Sequence, residues 1–175
     1  MLKRIAITGP ESTGKSWLAA GLAARYREFR VTEQARDYLN QLGRSYDFND
    51  ILEIGRLQYR EEERLAALAG EWLFCDTDFL VLRIWSLVKF GRSHPWIDTM
   101  VAQHTYHHYL LCKPDLPWED DPLREHPHLR EQLFGMYLHE LDERGLPYSV
   151  VSGYGDARLM RAVNAINHAG TDRTA

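Results

Sequence analysis

The chain of 175 residues carries 21 Lys and Arg against 25 Asp and Glu, a formal charge of −4. That balance excludes a generic nucleic-acid binder, which needs a basic face. Hydrophobic residues at 45% suit one packed domain, expected over 1–170, and two cysteines exclude a disulfide framework and fit a reducing, cytoplasmic setting. The most apolar run, 73–90, contains Asp76, Asp78, Arg83 and Lys89, so no membrane span is expected. The opening residues lead straight into a five-residue apolar strand, too short for a secretory signal.

Short apolar strands alternate with helical stretches, the pattern of parallel βαβ units. A first strand is expected over 4–8, then a helix over 15–27 with Leu18, Leu22 and Tyr26 four apart. A weak second strand falls at 30–33 and a long helix at 50–69. The third strand, 72–75, ends abruptly in Asp76-Thr77-Asp78, and a buried helix follows over 79–90, closed by Gly91. A fourth strand is expected at 109–112 and an exposed loop at 113–128. Next come a helix over 129–144 stopped by Gly145 and Pro147, a fifth strand at 148–151, and a last helix over 156–168. The tail at 171–175 is expected to be disordered.

Gly9-Pro10-Glu11-Ser12-Thr13-Gly14-Lys15-Ser16 matches the phosphate-binding motif G-x-x-x-x-G-K-[ST] at every fixed position, between a strand and a helix as its mechanism requires. Loop N–H groups and the helix N-terminus receive phosphate oxygens, Lys15 reaches the β- and γ-phosphates, and the Ser16 hydroxyl is placed to ligate Mg²⁺. Gly9, Glu11, Ser12, Thr13 and Gly14 thus form the expected nucleotide cradle. An apolar strand ending in Asp76 is what a Mg²⁺-supporting carboxylate beside such a loop looks like, with Asp78 as a second candidate. ATP and Mg²⁺ are the expected cofactors, and a small molecule, not a nucleic acid or membrane, the partner.

These residues, with Glu33-Gln34-Ala35-Arg36, Pro117-Trp118-Glu119-Asp120-Asp121, Leu123-Arg124 and Ser152-Gly153, resemble in order a set from one family. It is the ribosylnicotinamide kinase domain of the bifunctional bacterial NAD-biosynthesis regulators. The resemblance spans nearly the whole chain. It implies an α/β nucleoside- and nucleotide-kinase-like P-loop fold, with a five-stranded parallel sheet ordered 2-3-1-4-5 and flanked by helices. It also implies transfer of phosphate from ATP to the 5′-hydroxyl of nicotinamide riboside. No His-x-Gly-His motif occurs, so no adenylyltransferase activity is expected.

Glu33 and Arg36 follow the second strand on the side where parallel sheets bind ligands, and the family position assigns them to acceptor and catalysis. The same pair would also serve a solvated helix start as an i,i+3 ion pair. The segment 113–130 sits where phosphoryl-transfer kinases carry a lid, with Arg124 and Arg130 as candidates for stabilising the transferring phosphoryl group. Within it Trp118 offers a face to a pyridinium ring, and Asp78, Asp120 and Asp121 offer negative charge. Gly153-Tyr154-Gly155 and Arg158 are placed by analogy at the adenine. His104, His107 and His108 read as surface or capping residues, and Cys75 and Cys112 as small core residues. Alternatives are another nucleoside or small-metabolite kinase, or a regulatory ATPase or GTPase. Against a GTPase, Cys112-Lys113-Pro114-Asp115 lacks the guanine-reading asparagine.

Overall fold

Strands buried at every residue must be covered on both faces, and β3 (Trp72–Asp76) and β4 (His108–Cys112) are buried at every position. They flank β1 (Lys3–Thr8) in a five-stranded parallel sheet completed by β2 (Phe29–Val31) and β5 (Tyr148–Val151) at the edges. The order is β2-β3-β1-β4-β5, as the sequence reading expected. In register, Ile5 pairs with Phe74 and with His108, and Ile7 with Asp76 and Leu110. The computed structural model describes residues 1–169, so the tail expected to be disordered lies outside the described residues.

The two-residue period of the strands divides the apolar side chains between two layers. Ile5, Ile7, Phe74, Leu110 and Val151 pack with Leu18 and Leu22 of α1 (Lys15–Tyr26) and with Val163 and Ile166 of α7 (Gly155–Ala169). Ala6, Leu73, Cys75, Tyr109 and Leu111 face the other way. They meet α3 (Phe48–Ala66), α4 (Phe79–Phe90), α5 (Pro95–Gln103) and α6 (Arg130–Glu143). Among the described residues no helix is long and apolar enough to cross a membrane.

Two short helices refine the sequence reading. One is α2 (Gln34–Leu42), a short amphipathic helix with Ala35 buried and Tyr38 and Leu39 packed against the same core, which the sequence reading did not assign. The other, α5, begins at Pro95, where the His94 ring accepts the Trp96 N–H at 3.2 Å. The long helix α3 starts two residues before the expected position, because Asp47 and Asp50 form a reciprocal capping box there.

Beneath the sheet's ligand-binding end, α3 buries a carboxylate. Glu62 is fully buried and accepts from Gln58 Nε2 at 3.1 Å and Tyr106 Oη at 2.9 Å, with His104 Nε2 at 2.8 Å. Gln58 Nε2 also donates to the Thr77 carbonyl at 3.3 Å, tying the network to the turn after β3, where Thr77 has φ of 79°. Two of the three histidines singled out in the sequence therefore have internal roles: His104 in this network and His108 against Ser149 Oγ at 2.9 Å. Removing the acceptor strands several buried donors. Glu62→Ala is expected to lower unfolding free energy by about 3 kcal/mol in urea titrations. A loss below about 1 kcal/mol would show that the network is dispensable.

Candidate functional site

The loop between β1 and α1 is held open by steric and backbone constraints. Gly9, at φ +130°, runs so close to β4 that a Cβ would lie 2.8 Å from the Cys112 carbonyl oxygen. Gly14, at φ +74°, is the N-cap of α1, and no side chain caps that helix. There is also no acid in its first turn, so its free N–H groups and positive end face the loop. Thr13 Oγ1 donates to the Pro10 carbonyl at 2.8 Å, and Lys15 Nζ donates to the carbonyls of Gly9 and Pro10 at 2.9 and 2.7 Å. Those neutral acceptors leave the ammonium free to exchange onto a stronger anionic one.

Around this loop opens a cavity of about 460 Å³, the size of a small-molecule site. Lys15, Ser16, Glu33, Arg36 and Arg124 line it. Asp76 ends β3 beside Ser16 and is 3% exposed. Burial raises its carboxyl above the usual range, while the Ser16 hydroxyl and the Lys15 ammonium pull it down. Burial likewise raises Glu33, opposed by Lys15 and reinforced by Asp76. Asp76 Oδ1 is buried without a hydrogen-bond partner. An orphaned carboxylate oxygen next to a hydroxyl fits a hydrated divalent cation, so Ser16 and Asp76 are the residues able to hold one.

Not every sequence candidate reaches this cavity. Asp78 is fully buried, and its Oδ1 accepts the Val81 N–H at 2.8 Å as the N-cap of α4, so it is not among the lining residues. Burial pushes its carboxyl up to about 7. Trp118 also lies outside the lining, its Nε1 donating to Asp120 at 2.8 Å. The guanidinium groups of Arg124 and Arg130 lie 6.0 and 5.7 Å from its ring, so a cationic ligand there would meet like charge. Arg130 Nη1 donates to the carbonyls of Ser12 and Leu116 at 3.0 and 2.9 Å, holding the loop from behind. Asp121 pairs with Arg36 at 2.8 Å and thereby closes the 113–130 segment onto α2. The Glu11 side chain turns toward that segment too, accepting the backbone N–H groups of Glu125 and His126.

Arg158, expected by analogy at the adenine, is among the residues lining the cavity, and its guanidinium is anchored by protein groups. It is 1% exposed, and Nη1 donates to Asp115 Oδ1 and the Gly153 carbonyl at 2.7 and 2.9 Å. Its Nη2 donates to the carbonyls of Thr13 and Lys113 at 2.7 and 3.1 Å. Both terminal nitrogens thus bind protein. Besides Trp17 of α1, aromatic side chains reach the cavity from Trp85 of α4 and Tyr137 of α6, and these two stand beside Val81, Ile84, Val88 and Leu133. Sequence reasoning missed them because both stand in apolar helical runs that read as core, and Tyr137 is indeed 3% exposed.

Fold and site together define a P-loop nucleotide-binding domain of the build shared by nucleoside kinases. The family model AAA_28, described as an AAA domain, matches residues 4–158, and the chain belongs to that family. It is 25% identical over 174 residues to the trifunctional NAD biosynthesis/regulator protein NadR of Escherichia coli K12, covering 94% of this chain and 42% of that protein. A crystal structure of NadR in complex with NR superposes with a TM-score of 0.82 at 21% identity, covering 99% of this chain and 54% of the other. Deoxyadenosine kinase from M. mycoides, with products bound, gives a TM-score of 0.69 at 15% identity, covering 94% of this chain and 99% of that one. The chain thus spans about half or less of the NadR proteins it matches.

The buried Asp78 makes stability depend on pH in a direction opposite to that of an ion-paired acid. From its ordinary value of 3.8 to about 7, the unfolded chain loses the proton that the folded chain keeps. Stability contributed by this group therefore falls as pH rises through that window. Asn at this position keeps a carbonyl oxygen for the Val81 N–H and cannot ionise. The stability of Asp78→Asn relative to the parent is expected to climb through that pH range and then level off, as read by urea unfolding at each pH. A difference that stays flat with pH would overturn the buried-acid assignment.

Proposed function

We propose that this protein is a kinase that transfers the γ-phosphoryl group of ATP to the 5′-hydroxyl of nicotinamide riboside, giving nicotinamide mononucleotide and ADP. The observation that carries the reading is the convergence on one cavity of a phosphate loop, a desolvated carboxylate and an arginine from the opposite wall. These are Lys15, Glu33 and Arg124. Glu33 lies at the start of α2, on the side of the loop away from α7, where an acceptor hydroxyl meets the end of a triphosphate.

In this reading the loop N–H groups and Lys15 bind the β- and γ-phosphates and fix them in line with the hydroxyl. Glu33, its proton affinity raised by burial, accepts the hydroxyl proton as the oxygen attacks phosphorus. One P–O bond forms at the ribose 5′-oxygen, and the bond from phosphorus to the bridging oxygen of ADP breaks. Arg124, held over the loop by its bond to Ser12 Oγ at 3.3 Å, offsets charge on the phosphoryl oxygens. Ser16 and Asp76 would hold Mg²⁺, which when bound neutralises charge on the triphosphate. The 113–130 segment, from which Leu116, Leu123 and Arg124 line the cavity, serves as the lid.

The acceptor identity is supported by the relatives that carry the matching domain and by the cavity's own lining. Nicotinamide riboside differs from ordinary nucleosides in the permanent positive charge of its ring. Trp85 and Tyr137 supply aromatic surface at the acceptor end, which suits a flat cation better than the arginine-flanked Trp118 does. Coupled ADP-release assays across nicotinamide riboside, cytidine, uridine, adenosine and thymidine test the assignment. Turnover is expected with the riboside in preference to the neutral nucleosides. Trp85→Ala is expected to raise the Michaelis constant for the riboside about tenfold while leaving that for ATP nearly unchanged. Robust turnover of a neutral nucleoside with none of the riboside would overturn the substrate.

The phosphate loop admits a separate test. Lys15→Ala removes one charge-assisted contact to the triphosphate and takes a donor from the Gly9 and Pro10 carbonyls, of which Pro10 keeps the Thr13 hydroxyl. Turnover is expected to fall by about a hundredfold or more with an unchanged melting temperature. Near-normal turnover in this variant would remove the phosphoryl-transfer mechanism.

A further inference from the structure

An acidic side chain within a phosphate-binding loop works against the anion the loop receives, unless it is directed elsewhere and bonded there. Glu11 is such a residue, and its carboxylate crosses to the 113–130 segment. Oε1 and Oε2 accept the Glu125 N–H at 3.2 and 3.1 Å, Oε2 also accepts the His126 N–H at 2.9 Å, and the His126 ring lies 3.7 Å away. These amides adjoin Arg124, so the bonds fix the turn from which that guanidinium enters the cavity. Ser12, the next loop residue, adds a parallel tie, its Oγ accepting the Glu119 N–H at 2.9 Å.

The far side of the same turn is anchored independently. The Glu125 carboxylate accepts from Lys89 Nζ at 2.8 Å and from Tyr46 Oη at 2.6 Å. Tyr46 Oη in turn accepts the Trp85 indole N–H at 3.0 Å. A continuous chain of hydrogen-bonded and covalent links therefore runs from the phosphate loop through Glu11 and Glu125 to an aromatic side chain at the acceptor end of the cavity.

We propose that Glu11 is a positioning residue that latches the Arg124–His126 turn to the phosphate loop and so couples the loop to the acceptor pocket. Its carboxylate acts through the backbone it holds, not through contact with phosphate. The kinetic consequences rest on the phosphotransfer reading above, whereas the ordering of the turn does not. With the latch intact, Arg124 and Trp85 are placed before the acceptor binds, which lowers the ordering cost of closing the site.

Hydrogen–deuterium exchange on the full chain tests the latch without any substrate. In Glu11→Ala the amides of residues 125 and 126 are expected to exchange at least about tenfold faster, while amides of β1 and β4 keep their protection. Glu11→Gln, which retains one carbonyl acceptor, is expected to fall between the two. In steady-state assays Glu11→Ala is expected to lower turnover and raise the acceptor Michaelis constant by about tenfold, with that for ATP within about twofold. Because Glu11 and Glu125 hold one turn, the Glu11→Ala/Glu125→Ala pair is expected to lose less than the product of the single losses. Unchanged exchange at 125 and 126 overturns the latch. Retained acceptor kinetics, or a Michaelis constant for ATP that rises as far as that for the acceptor, overturns the coupling. Absence of kinase activity in the parent chain, with faster exchange in the variant, would leave the latch standing and remove only the phosphotransfer reading.

Discussion

The site depends on one buried guanidinium. Arg158, from the first turns of α7, joins the phosphate loop after β1, the segment after β4 and the turn after β5 by four hydrogen bonds to Thr13, Lys113, Asp115 and Gly153. Three chain segments that leave adjacent strands would otherwise expose carbonyl oxygens with no donor. A planar group with several N–H donors in a fixed fork satisfies them at once and holds the strand ends in register. The loop N–H groups are then left pointing outward, with the uncapped start of α1 behind them. An anion site follows from that arrangement.

Around this fixed loop the structure collects acids in places where burial opposes their ionisation. Asp76, Glu33 and Asp78 are all raised by desolvation, and Lys15 offsets part of that for each. They divide the work by position. Asp78 stays inside as a helix cap, Asp76 presents an unpartnered oxygen beside Ser16, and Glu33 reaches the cavity. The Glu62 network below ties α3 to the turn between Asp76 and Asp78 through Gln58 and the Thr77 carbonyl. Thr77 adopts a left-handed φ there, a conformation a non-glycine residue keeps only when its surroundings hold it.

The 113–130 segment forms a wall of the cavity although no regular secondary structure covers 113–129. Its order comes from polar ties to four neighbours: the phosphate loop at Glu11 and Ser12, α2 at Arg36, the α4 side at Lys89 and Tyr46, and α7 with the turn before it at Arg158 and Gly153. Several of these are partly exposed and individually weak. Bonds of that kind order a segment while leaving it able to open, which is what a site that must admit and release two small molecules requires.

The features legible in the sequence are those whose determinants lie close together along the chain. The phosphate loop is eight consecutive residues between a strand and a helix, Asp76 ends an apolar run, and the alternation of strands and helices set the parallel sheet. The sheet order came from family resemblance, and the structure has it. What only the tertiary structure decided is the direction and company of side chains. Apolar periodicity marks a helix face as buried but does not distinguish a packed core from a cavity wall, so Trp85 and Tyr137 were hidden among core residues. Trp118 and Arg158 stood in segments consistent with ligand contact, yet one is flanked by two guanidinium groups and the other is enclosed by carbonyls from distant segments. Glu11 lies within the most readable motif of the chain, and its partners are more than a hundred residues away. No local pattern encodes such contacts, because they exist only once the sheet has brought the strand ends together.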